Sequence, residues 1–131
     1  MKVALDTNAY VEFCRGNQDV VTAIAQSEFI FLPFIVLGEL RAGFASGTKS
    51  RGNEQVLRRF IQSRRVEVLW PDEETCRYYA NIFSHLRSLG SPIPTNDLWI
   101  SSLVAQKNVE LITFDKHFLK VPDVLIYRFK E

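Results

Sequence analysis

The chain has 131 residues, 47% of them hydrophobic and 24% charged, with a net charge of +1. That length suits one compact domain, residues 1–131, able to bury about two-thirds of the surface its unfolded chain exposes. Near-neutral charge announces no partner, no apolar run approaches the roughly 18 residues a membrane span needs, and Asp6 interrupts the N-terminus too early for a signal peptide. Two isolated cysteines, Cys14 and Cys76, offer neither a disulfide framework nor metal-ligand spacing and read as small buried hydrophobes. A soluble cytoplasmic protein is expected.

Lys2 to Leu5 is a short apolar run ending in Asp6-Thr7-Asn8, a strand followed at once by a helix start. Asn17 is placed to cap a helix bearing Val20, Val21, Ile24 and Ala25. Residues 29–32 read as a second strand stopped by Pro33, and Val36, Leu37, Leu40 and Phe44 then recur at helical spacing until Gly47. Val56, Leu57, Phe60 and Ile61 mark a further helix, and residues 66–69 a third strand closed by Trp70-Pro71. Asp72, Glu73 and Glu74 suit a helix first turn, where the dipole favours acids. Tyr79, Ile82, Phe83, Leu86 and Leu89 form that helix's apolar stripe, and Gly90 ends it. After a stiff Ser91-Pro92-Ile93-Pro94 loop, Asn96-Asp97 opens a helix with Trp99, Ile100, Leu103 and Val104. Residues 111–113 and 124–127 complete the strands. Strands alternating with helices predict a parallel α/β sheet of four to five strands flanked by helices, with functional groups at the strands' carboxyl ends.

Asp6 ends the first strand and Asp115 lies just past the fourth, in Leu111-Ile112-Thr113-Phe114-Asp115. Taken singly, each has a structural explanation, because Asp favours strand ends and caps. Glu39 is harder to dismiss: it lies in Phe34-Ile35-Val36-Leu37-Gly38-Glu39-Leu40, where a carboxylate near a core face needs a partner, a metal or a proton. Asp97, at a helix start, could serve as a cap alone. Together the four make a stronger case. Converging carboxylates repel by about 4 kcal/mol for a pair roughly 4 Å apart at an effective dielectric near 20. A divalent cation removes that penalty, and oxygen-only ligands suit Mg²⁺ or Mn²⁺ rather than zinc. A cation so held lowers the pKa of bound water and stabilises charge on a phosphodiester, so no separate nucleophile is required. His85 and His117 read as surface or partly packed side chains.

These residues resemble a known family. Val3-Ala4-Leu5-Asp6-Thr7-Asn8 is similar to the opening motif of PIN domains, and Val36-Leu37-Gly38-Glu39-Leu40-Arg41-Ala42-Gly43 to their second acidic motif. Ile93-Pro94-Thr95-Asn96-Asp97-Leu98-Trp99-Ile100 resembles the third, and Leu111-Ile112-Thr113-Phe114-Asp115-Lys116-His117-Phe118 the fourth. No acidic position departs from the pattern. The Glu-Leu-Arg-Ala-Gly and Pro-Thr-Asn-Asp runs look most like VapC-type toxins of toxin–antitoxin systems. The resemblance implies a PIN-like three-layer fold and a Mg²⁺- or Mn²⁺-dependent endoribonuclease acting on structured RNA such as tRNA. It also implies a homodimer inhibited by a VapB-type antitoxin. By motif, Asp6, Asp97 and Asp115 would hold the metal, with Glu39 binding it directly or through water. Thr7, Asn8 and Thr113 match polar positions that orient acids or water. The apolar face over residues 34–40 is a candidate dimer surface.

Between Arg41 and Arg65 the cations Lys49, Arg51, Arg58, Arg59 and Arg64 join those two arginines against Glu54 alone. This stretch is either a solvated helix face or a phosphate-contacting rim, with Arg51, Arg58 and Arg59 as candidates. Phe29, Phe31, Phe34, Phe44, Phe60 and Phe83 fall on apolar faces and read as core rather than base-stacking residues. Two other readings stay open. Haloacid-dehalogenase-like phosphatases also place an acid after the first strand, but as Asp-x-Asp, and Asp6-Thr7-Asn8 lacks the second acid; a receiver domain lacks its late-strand lysine. A non-catalytic RNA- or protein-binding module would show loss of an acid, which is not seen.

Overall fold

Five apolar runs pair into one parallel sheet in the computed structural model, which describes residues 1–129. The strands are β1 (Lys2–Leu5), β2 (Phe29–Pro33), β3 (Val66–Leu69), β4 (Glu110–Ile112) and β5 (Leu125–Ile126), in the order β3-β2-β1-β4-β5. Flanking them are α1 (Thr7–Cys14), α2 (Gln18–Ala25), α3 (Phe34–Ala45), α4 (Ser50–Gln62), α5 (Glu73–Ser88) and α6 (Thr95–Lys107). Val3 pairs with Ile30 on one side and Glu110 on the other, which makes β1 the central strand. Val3, Ala4, Leu5, Leu32, Leu111 and Ile112 are fully buried, as strands covered on both faces require. From β1 the chain builds outward to β2 and β3, then returns to lay β4 on the opposite side of β1. The order therefore reverses between β1 and β4, and the crevice beyond their carboxyl ends is where such sheets bind ligands.

Local signals set most element ends. Asn17 accepts from the backbone N–H groups of Asp19 and Val20. Asp72 and Thr75 form a reciprocal capping box, with Glu73 and Glu74 in the first turn of α5. Gly90, at φ +63°, takes the left-handed conformation that stops α5.

Elsewhere the structure departs from expectation. Pro33 does not stop β2 but belongs to it, pairing with Leu69 as the chain turns directly into α3. β4 ends at Ile112, one residue early, and this frees Thr113 from the ladder. A 3₁₀ turn over Lys116–Lys120, anchored by buried Phe118, has no periodic sequence signature. On α5 the buried stripe runs Thr75, Ile82 and Leu86 with Tyr79 partly covered, a single helical row facing α6. Phe83 and Leu89 flank that row and remain 45% and 61% exposed. Phe29 is also exposed, as are Trp70 and Phe114. Both cysteines are exposed rather than buried, because each sits on an outward helix position. Within residues 34–40, Val36, Leu37 and Leu40 are buried in the chain's own core, leaving Phe34 and Ile35 part-exposed. Among the described residues no helix is long and apolar enough to cross a membrane.

Candidate active site

Asp6 is the first residue past β1 and caps α1, its Oδ1 accepting from the Ala9 N–H at 2.8 Å. Its second oxygen accepts from the Thr113 hydroxyl, which β4 releases next door. Only 4% of Asp6 is exposed. Burial pushes its carboxyl up to about 6 despite those two hydrogen bonds, and the charges of Asp115 and Asp97 add to the rise. Thr113 serves both acids, because its Oγ1 also accepts from the Asp115 N–H at 3.0 Å.

Asp97 lies in the first turn of α6, yet the cap position there is Pro94 and no side chain caps the helix. Its carboxylate is therefore not used up by its own helix. Instead Oδ2 meets His117 Nδ1 at 2.9 Å. Burial raises the Asp97 pKa; the His117 hydrogen bond opposes the rise, while Asp115 and Glu39 reinforce it. Asp115 caps the 3₁₀ turn by accepting from the His117 N–H at 2.9 Å, and the same Oδ1 lies 3.2 Å from His117 Nδ1.

Glu39, midway along α3, is partly buried and held from both sides. The Thr7 hydroxyl donates to Oε1 at 2.5 Å and the Asn96 amide to Oε2 at 3.3 Å. Glu39 and Asn96 border an open hollow with Phe34, Ile35, Gly38 and Ala42. The four acids thus come from four separate segments and feel one another's charge.

Not every expected contact forms. Asn8 is exposed, and among the described residues no hydrogen bond joins it to an acid; Asn96 is the amide that reaches one. His117 is partly packed, as read, but it stands in the acid cluster, and its position two residues after a candidate ligand was the available clue. Arg51, Arg58 and Arg59 project from α4, which packs on the α3 helix that carries Glu39. Arg58 lies 3.5 Å from Glu54, whose other partner is a two-pronged contact from Arg41. Arg65 instead donates to the Ile24 and Ser27 carbonyls.

The donor set fits a divalent cation. Asp97, Asp115 and His117 each present a ligand atom, all within 4.8 Å of one another, and Asp6 and Glu39 adjoin them electrostatically. Beside the carboxylate oxygens expected from the sequence, an imidazole nitrogen also stands in the cluster.

The PIN domain family model matches residues 3–124, and so covers all four acids. The chain belongs to the PIN-domain family. Ribonuclease VapC1 of Haemophilus influenzae (strain R2866) is 32% identical to this PIN-domain chain over 126 residues, 92% of each protein. VapBC2 from Rickettsia felis, solved bound to a DNA fragment from its promoter, superposes with a TM-score of 0.84 at 26% identity. That match covers 99% of this chain and 100% of the other. VapBC-1 from nontypeable Haemophilus influenzae gives the same TM-score and identity over 97% of both chains. For this PIN domain the phosphatase and receiver alternatives fall away.

Proposed function

We propose that the chain is a divalent-metal-dependent endoribonuclease, the toxin of a VapBC-type pair. The observation that carries the reading is the convergence of Asp6, Glu39, Asp97 and Asp115 at the sheet's reversal point, with two of them pushed toward protonation. The Ribonuclease VapC1 relative supports RNA as substrate, and the VapBC complexes among structural relatives support a VapB-type antitoxin as partner. Structured RNA such as tRNA, a homodimeric state and a cytoplasmic setting complete the proposal.

In this reading Asp6, Asp97 and Asp115 hold Mg²⁺ or Mn²⁺, and Glu39 completes the site directly or through water. The cation, when bound, supplies neutralising charge for the carboxylates and for the phosphodiester under attack. Thr113 fixes the Asp6 carboxylate and the Asp115 backbone together. Thr7 and Asn96 hold both oxygens of Glu39, so that acid is oriented before RNA arrives. Burial of Asp6 and part-burial of Asp97 keep bulk water from screening the charges that face the substrate.

The direct test is purified protein with total RNA and Mg²⁺ or Mn²⁺. Cleavage should appear with either ion, stop with EDTA and return when metal is restored in excess. Inertness with both ions defeats the proposal. Replacing Thr113 by Val, which keeps the shape but removes both hydrogen bonds, should lower metal affinity or activity about 10- to 100-fold; calorimetric metal titration reads the affinity.

Arg51 and Arg59, exposed and without an ion pair among the described residues, are the freer two of the three proposed RNA-contacting arginines. Arg58 can join them, since its exposed contact with Glu54 is screened by water and weakly held. Changing Arg51 and Arg59 to Ala should reduce the salt slope of RNA binding by roughly one to two phosphate contacts. An unaltered slope in a salt titration would remove the rim from the proposal.

A further inference from the structure

His117 stands inside the acid cluster with a geometry that serves more than one end. Its Nδ1 is 2.9 Å from Asp97 Oδ2 and 3.2 Å from Asp115 Oδ1. Neighbouring ligands of an octahedral cation with bonds of about 2.1 Å stand about 3.0 Å apart. Each oxygen therefore already stands from the nitrogen at the spacing of adjacent ligands on one ion, and all three atoms lie within 4.8 Å of one another. The ring is not carried on a loose loop. The His117 N–H is bound to Asp115 at 2.9 Å, and the next residue, Phe118, anchors the turn in the core. Because the His117 side chain is 43% exposed, Nε2 can carry the ring proton toward water while Nδ1 offers its lone pair.

We propose that His117 is a metal ligand through Nδ1 and that it biases the site toward Mn²⁺ over Mg²⁺; the proposal rests on the divalent-metal reading above. Mg²⁺ takes oxygen donors and keeps its waters, so an imidazole adds little to its binding. Transition ions accept imidazole readily, and Mn²⁺ is the one that also favours carboxylates. A donor set of carboxylates with one nitrogen matches that preference. With Mg²⁺ present, the ring reverts to donating a hydrogen bond to Asp97 and acts as a positioning group only.

His117→Asn separates the two roles, because the Asn amide N–H can donate from near the Nδ1 position but its nitrogen cannot ligate. The full chain is titrated with Mn²⁺, loss of the free-ion EPR signal reporting binding, and Mg²⁺ is then measured by competition. The variant should lose about tenfold or more in Mn²⁺ affinity, with Mg²⁺ affinity changed by less than about threefold. Pulsed EPR of bound Mn²⁺ should show nitrogen coupling in the wild type and none in the variant. Equal losses for both ions, or retained nitrogen coupling, would overturn ligation by His117 while leaving a metal site in place. Failure of the wild-type chain to bind either ion would overturn the metal reading itself.

Discussion

Asp97→Asn should lower RNA cleavage by about three orders of magnitude or more, the scale on which loss of a group facing developing charge acts. The change preserves shape and removes one negative charge. Asp97 makes no capping bond to its own helix, so α6 loses little support. What disappears is the carboxylate opposite His117 and its electrostatic coupling to Asp115 and Glu39. Asp6→Asn should abolish cleavage equally, since it empties the other end of the cluster. Circular dichroism should show both variants folded. Expression of the unaltered chain alone should arrest growth, and expression of the Asp97→Asn chain should not. Wild-type cleavage rates in both variants would end the nuclease assignment.

The same Asp6→Asn chain, freed of metal, should be more stable than the wild type at neutral pH. Burial lifts the Asp6 carboxyl in the folded state to about 6 from an ordinary value of 3.8. Below the unfolded value both states hold the proton and nothing is lost. As pH rises toward the folded value, the unfolded chain releases its proton more readily than the native one, and native stability falls. Above pH 6 the full penalty remains, up to about 3 kcal/mol for a shift of this size. Asn removes it, and still caps α1 because its side-chain oxygen can accept from Ala9. In EDTA at pH 7 the variant should therefore melt roughly 10 °C higher. The advantage should shrink toward zero near pH 4, and saturating Mn²⁺ should narrow or reverse the gap by stabilising the wild type more than the variant. A gap between the two melting temperatures that is independent of pH would contradict the argument.

Which parts of this were legible in the residues depended on how each signal arises. The strands were plain because buried parallel strands must be apolar throughout. Residues 2–5 and 66–69 stand as read, and the other three strands differ by one or two residues at their ends. Glu39 announced itself by being charged within an apolar stretch. Asp97 and Asp115 could not be separated from ordinary caps by sequence, since that distinction lies in whether the helix uses the carboxylate. Asp115 does cap its turn and Asp97 does not.

His117 left no periodic trace, because the 3₁₀ turn presenting it is five residues long and fixed by a single core contact. Asn96 and Asn8 both lie within two residues of an acid in sequence; it is the packing of α6 beside α3 that brings Asn96 to Glu39. Exposure of Cys14, Cys76, Phe83 and Leu89 likewise depends on which helical row meets a neighbour. An apolar residue beside that row reads the same in sequence as one within it.

The Thr113–Asp6 bond spans 107 residues, nearly from one end of the chain to the other. A ribosome that has translated as far as Val104 has supplied Asp6, Glu39 and Asp97 but not Thr113, Asp115 or His117. At that stage Thr7 and Asn96 are present to hold Glu39, but β4, which releases Thr113 to seat Asp6, does not yet exist. The acid cluster is thus completed only once residues 113–117 have been made. A premature stop or frameshift anywhere before codon 113 should therefore leave the cluster incomplete, however well the preceding residues fold.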